Sequence, residues 1–583
     1  MKSKITLVLI IVSLSLGLYA QKAAPDFSNL HYLSAEEMQT PLRSILEYVE
    51  TDPPMPVVRN VAEFDAMQAV LVRYPFGIPI TLVKEMAEET MVITLVGSSS
   101  QQQTVENIYA ANDVNTENTS FLIAPTDSYW VRDYGPWFVF DGNNNPGIMD
   151  FPYNRPRPND DNVPVVVANS LGIDLYGMSV YHTGGNYMCD GMGQGSSTDL
   201  VYEENTQLTE AQVDEKFNDY LGINPYHVRP DPLDDYIKHI DCWGKFLSPG
   251  KVIIGQVPTT DNRYADFEEA ADYFANTTSS YGVPYEVVRV FTPGTAPNTP
   301  YTNSLILNKK VFVPLTGSQW DDEAIATYEE AMPGYEIVGI VYNGWLNTDA
   351  LHCRTKGVAD IGMLYIHHVP TLGQIDYQDT YEITAQINVN SGQPIYEDSV
   401  FVYYSINEGE YQQTNMVSST GEMWTATLSG ISSGDEVDYY LYAADESGRQ
   451  SYHPFIGQAD PHEFETMGAV IEDLEMNPDT LVYLDYEDML GLDLKIINRG
   501  SEAVVIDDIT EYGMEFMWYV ENMPTLPYNL GAEDSLTLKV VVDLPVNALV
   551  LLVSDTMYIS TETNTYKQLL MIDNDLISSN IEN

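Results

Sequence analysis

The residues with the clearest capacity for chemistry are a cysteine, a histidine and an aspartate. Cys353 directly follows His352, and His239 and Asp241 lie two positions apart. A thiolate is the most nucleophilic ordinary side chain near neutral pH, whereas a histidine and a carboxylate on one face suit proton transfer and cation binding. On a strand, His239 and Asp241 would point to the same face. The structural alternatives are a buried inert cysteine and a His–Asp pair in the core. These residues alone do not decide between a catalytic and a structural role.

A second carboxylate lies in an unusually aromatic segment. Trp130 and Trp137 flank Asp133, and Gly135-Pro136 fixes the chain after it. Aromatic walls beside a carboxylate form a slot for a flat cation, and paired carboxylates hold a planar guanidinium through bidentate hydrogen bonds. Two carboxylates, a histidine and a thiol are the groups needed to replace an amine on a guanidinium, because the cation must be held, its nitrogen protonated and its carbon attacked.

Five short polar clusters recur at similar intervals along the chain. They are residues 130–136, 184–186, 239–243, 301–303 and 351–353. Each cluster lies at a similar distance from the one before it: 51 residues from Asp133 to Gly184, then 57 to Asp241, 62 to Asn303 and 50 to Cys353. Such intervals suggest one supersecondary unit repeated around an axis, which would bring loops from every unit to one centre.

Metal binding is the competing use of cysteine and histidine, and the spacing argues against it. The chain has no CxxC or HxxxH pattern for zinc, and its acidic positions lack the spacing of an EF-hand calcium loop. We therefore predict no metal site. The pair His367-His368 is interpreted as structural.

The elements that would position these clusters change in character near residue 370. Between 61 and 370, short apolar runs alternate with helical patterns, which predicts a mixed α/β domain. The expected strands are 70–72, 91–96, 252–255 and 311–314, and the expected helices are 78–89, 266–275 and 321–331.

After residue 370 the pattern has a period of two residues. It predicts an Ig-like β-sandwich over 371–470 and a second β-sandwich over 471–583, the latter a possible secretion or attachment module. Neither segment clusters polar residues, so both are expected to be structural or to attach the protein elsewhere.

The first twenty residues predict export. Lys2 and Lys4 precede an apolar run from Ile5 to Leu18, which is typical of a signal peptide cut after Ala20. Residues 21–60 are expected to be an extension or linker. The chain has three cysteines, an odd number, so at least one thiol stays free.

Composition sets further limits on function. The chain has 583 residues, which suggests several domains, and its 26 Lys+Arg against 85 Asp+Glu give a formal charge of −59. This charge argues against binding of nucleic acids and of anionic membranes, because both need a basic face. The chain is 44% hydrophobic, which is enough to build cores. We expect no stable membrane insertion.

The chain resembles the guanidine-modifying superfamily in three motifs, which occur in the family's order: Trp-Val-Arg-Asp-Tyr-Gly-Pro-Trp at 130–137, His-Ile-Asp-Cys-Trp-Gly-Lys at 239–245 and Leu-His-Cys-Arg-Thr at 351–355. Within it, the chain is similar to the secreted bacterial peptidylarginine deiminases, relatives of the agmatine deiminases. Residues 154–160 and 184–188 strengthen this resemblance, which covers about 61–370 and the following module in outline. It implies a five-bladed α/β-propeller (pentein) fold, no cofactor and independence from calcium.

The resemblance also implies roles for individual residues. Cys353 would attack the guanidinium carbon, and Asn303 would lie near this nucleophile. Asp133 and Asp241 would bind the guanidinium nitrogens, and His239 would act as acid and then base. Trp130 would stack along the substrate stem, and a carboxylate would be held by Arg155, Arg157 and Tyr236. Asn298 is the fallback for Asn303.

The expected function is therefore a secreted deiminase, either released or attached at the cell surface, that converts arginine, preferably at the C-terminus of peptides or proteins, to citrulline. A deiminase for agmatine or free arginine is the nearest alternative. A cysteine peptidase fits less well, because His239 precedes Cys353, the reverse of the papain-like order. An inactive binding or adhesion protein is the alternative from another class.

Pairing of Arg155 and Arg157 with Asp160 or Asp161 is the structural alternative to a carboxylate clamp. The chain departs from the resemblance at its end, which lacks the basic character expected of an anchoring domain.

Overall fold

A computed structural model gives the fold. It describes residues 33–34, 36–43, 45, 48–467, 474–483, 490–500, 503–510, 517–532, 534–543, 554–561 and 564–572. The predicted signal peptide at 1–20 and the chain end from residue 573 lie outside these residues. Among the residues that the structure describes, no helix combines the length and the apolar character that a membrane crossing needs.

The first part of the described chain is mixed α/β, as predicted. Its strands are Arg59–Asn60 (β1), Met67–Arg73 (β2), Met91–Val96 (β3), Thr119–Ile123 (β4), Trp137–Phe140 (β5), Pro146–Asp150 (β6), Asp174–Gly177 (β7), Met188–Cys189 (β8), Gly195–Thr198 (β9), Tyr226–Arg229 (β10), Gly244–Ser248 (β11), Lys251–Gln256 (β12), Glu286–Phe291 (β13), Leu305–Leu307 (β14), Lys310–Leu315 (β15), Glu336–Val341 (β16) and Lys356–Ala359 (β17). Its α-helices are Ile80–Met86 (α1), Ser99–Ala111 (α2), Val131–Tyr134 (α3), Pro158–Asp161 (α4), Val163–Leu171 (α5), Leu200–Glu203 (α6), Glu210–Leu221 (α7), Tyr264–Ala275 (α8) and Asp321–Ala331 (α9).

These strands form small sheets with one common pattern. The strand orders are β1-β5-β6-β7, β10-β9-β8, β11-β12-β13, β14-β15-β16 and β17-β2-β3-β4. Each sheet combines an antiparallel pair with a parallel pair, as in β11-β12 and β12-β13. In the last sheet β17 pairs antiparallel with β2, with Lys356 opposite Leu71. The end of this region therefore closes onto its beginning.

Local sequence explains the element boundaries. The β3 and α9 bounds coincide with the predicted ones, because an unbroken apolar run defines the strand and an acidic first turn opens the helix. Helix α7 begins with a capping box between Thr209 and Gln212 and ends at Gly222, which adopts the left-handed conformation that favours glycine. The predicted helix at 78–89 is shorter in the structure, since only α1 forms there.

The described part of the N-terminal extension packs against the α/β region and is not a loose linker. Tyr48 is buried and its hydroxyl donates to Asp150 Oδ2 at 2.9 Å. The Gly142 N–H donates to the Met55 carbonyl at 2.6 Å, and β1 pairs with β5. These contacts join residues far apart in sequence, so local pattern does not reveal them.

The second module consists of two sheets. Its strands are Leu364–His367 (β18), Gly373–Asp376 (β19), Tyr381–Val389 (β20), Ile395–Ile406 (β21), Gln412–Asn415 (β22), Val417–Thr420 (β23), Met423–Leu428 (β24), Glu436–Asp445 (β25), Gln450–His453 (β26) and His462–Met467 (β27). The orders are β18-β20-β24-β23 and β19-β27-β25-β21-β22, with β26 on β25. Strand β18 pairs with β20, so this module takes in residues ahead of the predicted boundary at 370.

The last module is also all-β in its described residues. Its strands are Leu474–Asn477 (β28), Thr480–Tyr483 (β29), Leu492–Asn498 (β30), Val504–Ile509 (β31), Trp518–Val520 (β32), Tyr528–Leu530 (β33), Ser535–Val542 (β34), Ser554–Thr561 (β35) and Thr565–Ile572 (β36). They form the sheets β28-β30-β34-β32 and β29-β36-β35-β31-β33 around an apolar core of their own.

Candidate active site

All five polar clusters lie on short helical turns or loops beside the sheets. Helix α3 carries Asp133, and 3-10 turns span Gly184–Asn186, Ile240–Cys242 and His352–Arg354. Asn303 lies in a turn before β14. The segment that carries His239 and Asp241 is not a strand. His239 precedes the 3-10 turn that contains Asp241, so the two side chains reach different partners.

Cys353 lies at the meeting point of these turns. Its Sγ is 3.6 Å from Asp241 Oδ2 and 3.3 Å from Asn303 Nδ2. The hydrogen bond from Cys242 acts to lower the pKa of Cys353, but burial and the neighbouring carboxylates outweigh it and raise the pKa to about 11. The isolated site therefore holds a neutral thiol at neutral pH. A cation that enters between the carboxylates would remove the main electrostatic obstacle to the thiolate.

His352 and Glu63 complete this side of the site, and sequence analysis gave neither a role. His352 Nδ1 is 2.7 Å from Asp241 Oδ2, and its Nε2 is 2.5 Å from Glu63 Oε2. Burial and the Arg132 guanidinium lower the pKa of His352, although the two carboxylates act to raise it. Each ring nitrogen lies within hydrogen-bonding distance of a carboxylate, so the ring donates from one nitrogen when neutral and from both when doubly protonated.

Glu63 holds His352 in place through a network of charged hydrogen bonds. Besides His352, its carboxylate accepts hydrogen bonds from Lys245 Nζ at 2.9 Å and the Ile306 N–H at 2.9 Å, and forms an ion pair with Arg132 Nη2 at 2.8 Å. Burial acts to raise the pKa of Glu63, but these positive charges hold it well below its ordinary value. In the same way, burial acts to raise the pKa of Asp241, and the hydrogen bond with His352 outweighs it. Asp241 is therefore a fixed anion beside the thiol.

Asp133 and His239 form the opposite side. His239 Nδ1 is 3.6 Å from Asp133 Oδ1, and both side chains are buried. Burial and the negative charge of Asp241 raise the pKa of Asp133 to about 8. The two carboxylates therefore differ in protonation at neutral pH until a cation stabilises both charges, which is the behaviour of a site built for a cationic ligand.

The Gly184-Gly185-Asn186 cluster shapes the site rather than reacting in it. A Cβ on Gly185 would lie 2.5 Å from His239 Nδ1 and 2.6 Å from Asp133 Oδ1, so only glycine fits between them. The Gly185 N–H donates to Asp133 Oδ1 at 3.1 Å. Asn186 Oδ1 accepts from the Ile240 N–H at 3.3 Å and so positions the turn that carries Asp241.

Asn303, and not its fallback Asn298, lies beside the Cys353 thiol. Its Nδ2 lies near Cys353 Sγ, and its Oδ1 accepts from the His352 N–H at 3.0 Å and the Cys353 N–H at 3.4 Å. Asn298 instead donates to the Trp345 carbonyl at 2.9 Å. Asn303 thus holds the backbone and the thiol of the His352–Arg354 turn together.

An aromatic and ionic frame supports the same turn. Arg354 forms a two-point ion pair with Asp349, with both distances at 2.9 Å, and its guanidinium lies 4.6 Å from the Tyr129 ring centroid. Tyr129 and Trp130 pack with Cys353 in one buried cluster. Trp130 thus provides an apolar wall beside the thiol, at the place expected for a substrate stem.

The predicted carboxylate-binding residues lie next to this wall. The Arg157 guanidinium lies 5.0 Å from the Trp130 ring centroid, and that of Arg155 lies 5.8 Å from the ring of Tyr236. Arg155 is close enough to Asp133 for its charge to lower that carboxyl's pKa in part. The structure thus places all nine predicted site residues around one region.

The proposed alternative partners of the two arginines were wrong. Arg157 Nε forms an ion pair with Glu37 Oε1 at 2.7 Å. Asp160 accepts instead from Ser128 and from the Asp127 N–H, and Asp161 pairs with Arg43 at 2.9 Å. Glu37 belongs to the N-terminal extension, 120 positions from Arg157, so no local pattern could reveal the pair.

Among the described residues, one buried group of side chains could serve as metal ligands, and it contains two cysteines and an aspartate. The ligand atoms of Asp241, Cys242 and Cys353 lie within 4.8 Å of one another. They surround the Cys353 thiol, which accepts a hydrogen bond from the Asn303 amide at 3.3 Å. All three cysteines are free and buried, and Cys189 donates to Asn60 Oδ1 at 3.3 Å.

Comparison with known proteins finds similarity in two segments. Residues 69–358 match the family of Porphyromonas-type peptidyl-arginine deiminases, and residues 375–451 match carbohydrate binding module family 56. The agmatine deiminase of Medicago truncatula is 26% identical over 316 residues, covering 45% of this chain and 83% of the relative. A solved structure of the agmatine deiminase of Enterococcus faecalis is 20% identical, covers 53% of this chain and 98% of its own, and superposes with a TM-score of 0.47.

Proposed function

Because residues 69–358 belong to the guanidine-modifying family of peptidyl-arginine and agmatine deiminases, we propose that this protein converts peptidyl arginine, preferably at a C-terminus, to citrulline and ammonia. The observation that carries the proposal is the meeting of Cys353, Asp133, Asp241 and His239 beside Trp130. The five sheets, with β17 closing onto β2, support the five-bladed arrangement expected from the resemblance.

In this mechanism the substrate cation assembles the active form of the site. The guanidinium lies between Asp133 and Asp241, whose carboxylates bind its nitrogens. Its positive charge favours ionisation of Asp133 and of the Cys353 thiol, both of which the empty site opposes. Trp130 packs along the aliphatic stem. The thiolate therefore forms where the guanidinium carbon is held.

Two displacements at that carbon then give the product. The thiolate sulfur bonds to the carbon, His239 protonates one nitrogen, and the carbon–nitrogen bond breaks to release ammonia. The covalent thiouronium left on Cys353 is attacked by water, whose proton passes to His239. The carbon–sulfur bond breaks, the thiol is restored, and the ureido group of citrulline remains.

The substrate's position in a peptide is proposed from Arg155 and Arg157. Arginine pairs with carboxylates in a directional, bidentate way, so two guanidiniums beside the stem-binding wall select a free α-carboxylate. Agmatine has no carboxylate and would leave this part of the site unused. We therefore favour C-terminal arginine over agmatine, and over an inactive adhesion protein, for which the buried catalytic set has no use.

A comparison of four substrates tests this function. We expect the highest kcat/KM for a peptide ending in arginine, and a value about ten- to a hundred-fold lower for the same peptide with an amidated C-terminus, because a charge-assisted contact contributes about 1.5–3 kcal/mol. Free arginine and agmatine complete the set. A preference for agmatine would contradict the peptide assignment, and equal rates on the acid and the amide would contradict the clamp.

We also propose that the second module attaches the enzyme to a polysaccharide. Six aromatic rings lie together on the outer face of the sheet that contains β21, β25 and β26: Phe401, Tyr403, Tyr411, Tyr440, Tyr442 and Tyr452. The rings of Tyr403 and Tyr440 are stacked at 4.9 Å. A continuous, partly exposed aromatic surface is typical of a binding site. Five of the six rings lie within residues 375–451, the segment that matches a carbohydrate-binding family, which supports a sugar ligand.

Sedimentation with insoluble polysaccharides tests the attachment. The intact protein is expected to sediment with at least one of cellulose, chitin, starch or β-glucan. Tyr403→Ala with Tyr442→Ala should lower the bound fraction about tenfold or more, since each stacked aromatic contributes about 0.5–1.5 kcal/mol beyond its buried area. Tyr396→Ala, at an exposed tyrosine of β21 outside this surface, is the matched control. Retention of binding by the double variant would exclude this surface.

The place of action is proposed from residues 1–20. Their signal-peptide pattern favours export to the cell exterior, where peptides with free C-terminal arginines occur as products of proteolysis. Attachment through the second module would then hold the enzyme at a surface.

A further inference from the structure

The predicted carboxylate clamp already holds a carboxylate from the same chain. Glu37 begins the 3-10 turn Glu37–Gln39 in the N-terminal extension, and its Oε1 lies 2.7 Å from Arg157 Nε. The Arg157 side chain is 4% exposed and that of Glu37 is 20% exposed, so this ion pair is partly shielded from solvent. It is therefore expected to contribute more than a fully exposed surface salt bridge, which would contribute little.

Glu37 is presented to the clamp in a fixed geometry. The Ser34 N–H donates to Glu37 Oε2 at 2.7 Å, and the Glu37 N–H donates to Ser34 Oγ at 3.1 Å. Burial acts to raise the pKa of Glu37, but the hydrogen bonds from Arg157 and Ser34 outweigh it, so the side chain is an anion at neutral pH. One carboxylate oxygen faces the arginine and the other is held by the extension itself.

The position of this carboxylate corresponds to that expected for a substrate. The guanidinium that binds Glu37 also lies over Trp130, which packs against the nucleophile Cys353. A C-terminal arginine whose stem lies along Trp130 would direct its own α-carboxylate to the same guanidinium. Two carboxylates cannot occupy one Nε donor direction at the same time, so the internal and the external anion compete.

The rest of the segment is attached by contacts that can be exchanged. Arg43 pairs with Asp161 at 2.9 Å and is about half exposed, and the Ile45 N–H donates to the Tyr181 hydroxyl at 3.0 Å. Behind these contacts lies a groove of about 650 Å³ that is bordered by Thr40, Arg155 and Arg157. None of residues 36–43 is buried, so their release would expose little core.

We propose that Glu37 is an internal competitor for the substrate carboxylate, so that the N-terminal extension restrains the enzyme until it is displaced or removed. This inference rests on the proposed function and states how that activity is regulated. It explains why the clamp is satisfied in the absence of substrate. It also implies that the restraint falls on substrates with a free C-terminus and not on those without one.

Glu37→Gln in the full chain tests the competition. We expect kcat/KM for a peptide ending in arginine to rise about tenfold, through a lower KM, because the neutral amide competes weakly for Arg157. The rate on the same peptide with an amidated C-terminus should change by less than about twofold. Glu36→Gln, which removes a neighbouring charge from the same turn, is the matched control and should leave both rates unchanged. An unchanged or lower kcat/KM for the free acid in Glu37→Gln would overturn the inference.

A binding measurement separates this inference from the proposed function. In the full chain with Cys353→Ser, hydrogen exchange of residues 36–43 is followed while the two peptides are added. The free acid should raise exchange several-fold in this segment, and the amide should not. Absence of turnover in the wild-type chain would count against the function alone, whereas unchanged exchange at a saturating concentration of bound acid would overturn the competition even in an active enzyme.

Discussion

Serine in place of Cys353 is expected to lower kcat/KM for a peptide ending in arginine by roughly 10³- to 10⁶-fold, the range seen when a covalent nucleophile is removed. The hydroxyl is a far weaker nucleophile than a thiolate, although it keeps the hydrogen bond from Asn303 and nearly the same volume. Binding should persist, because the anions at Asp133 and Asp241 are untouched. Steady-state kinetics together with peptide binding to the inactive variant separates these effects.

Cys189→Ser is the matched control for this substitution. Cys189 is another buried thiol, and it donates to Asn60 rather than lying between the carboxylates. Burial and a neighbouring carboxylate raise its pKa to about 12, so it is not available as a thiolate. The control variant should retain most of the activity. Comparable loss in both variants would point to unfolding, and substantial activity in Cys353→Ser would remove the nucleophile from the mechanism.

The second large effect is expected from Asp133→Asn, which should lower kcat/KM by roughly 10²- to 10⁴-fold. The variant takes away one anionic partner of a buried cation, and such a loss costs about 3–5 kcal/mol. In the wild-type chain the same residue sets the pH dependence. The pKa of Asp133 in the empty site is raised to about 8, so the carboxyl is protonated, and cannot bind the cation well, below that pH. Accordingly kcat/KM should fall as the pH falls below about 8.

A pH profile of both proteins measures this effect. The wild-type profile should show a rising limb near pH 8, and the Asp133→Asn profile should lack it. Asp127→Asn provides a comparison, because Asp127 accepts from Asn159 on a more exposed part of the chain. A wild-type profile that is flat between pH 6 and 9 would contradict the role of Asp133.

Sequence pattern was sufficient for elements defined by local composition. The apolar run of β3 and the acidic opening of α9 gave their bounds, and the period-two alternation after residue 370 gave strands β20, β25 and β34. The resemblance to the guanidine-modifying family was confirmed by the match over residues 69–358. The 3-10 turn at 240–242 could not be predicted from local sequence, because it is positioned by Asn186, which lies more than fifty positions away.

Two functional carboxylates, Glu63 and Glu37, could not be found from the sequence for a different reason. Glu63 lies 289 positions from His352, and Glu37 lies 120 positions from Arg157. Both are carboxylates whose partners come from other parts of the fold, so spacing along the chain carries no signal for them. For Glu63 one local hint existed: an acid inside the short apolar segment 61–64 needs a charged partner if it is buried. Arg132, Lys245 and His352 are those partners.

We expect Cys353 to hydrolyse the guanidinium of arginine without cutting the peptide. To measure this, the wild-type chain is incubated with a peptide that ends in arginine, and the peptide is analysed by mass spectrometry while the released ammonia is measured in the same sample. Citrulline at the C-terminus and ammonia should form in equal amounts, and Cys353→Ser should form neither product. A folded wild-type chain that leaves the arginine unchanged, or that shortens the peptide instead, would contradict it.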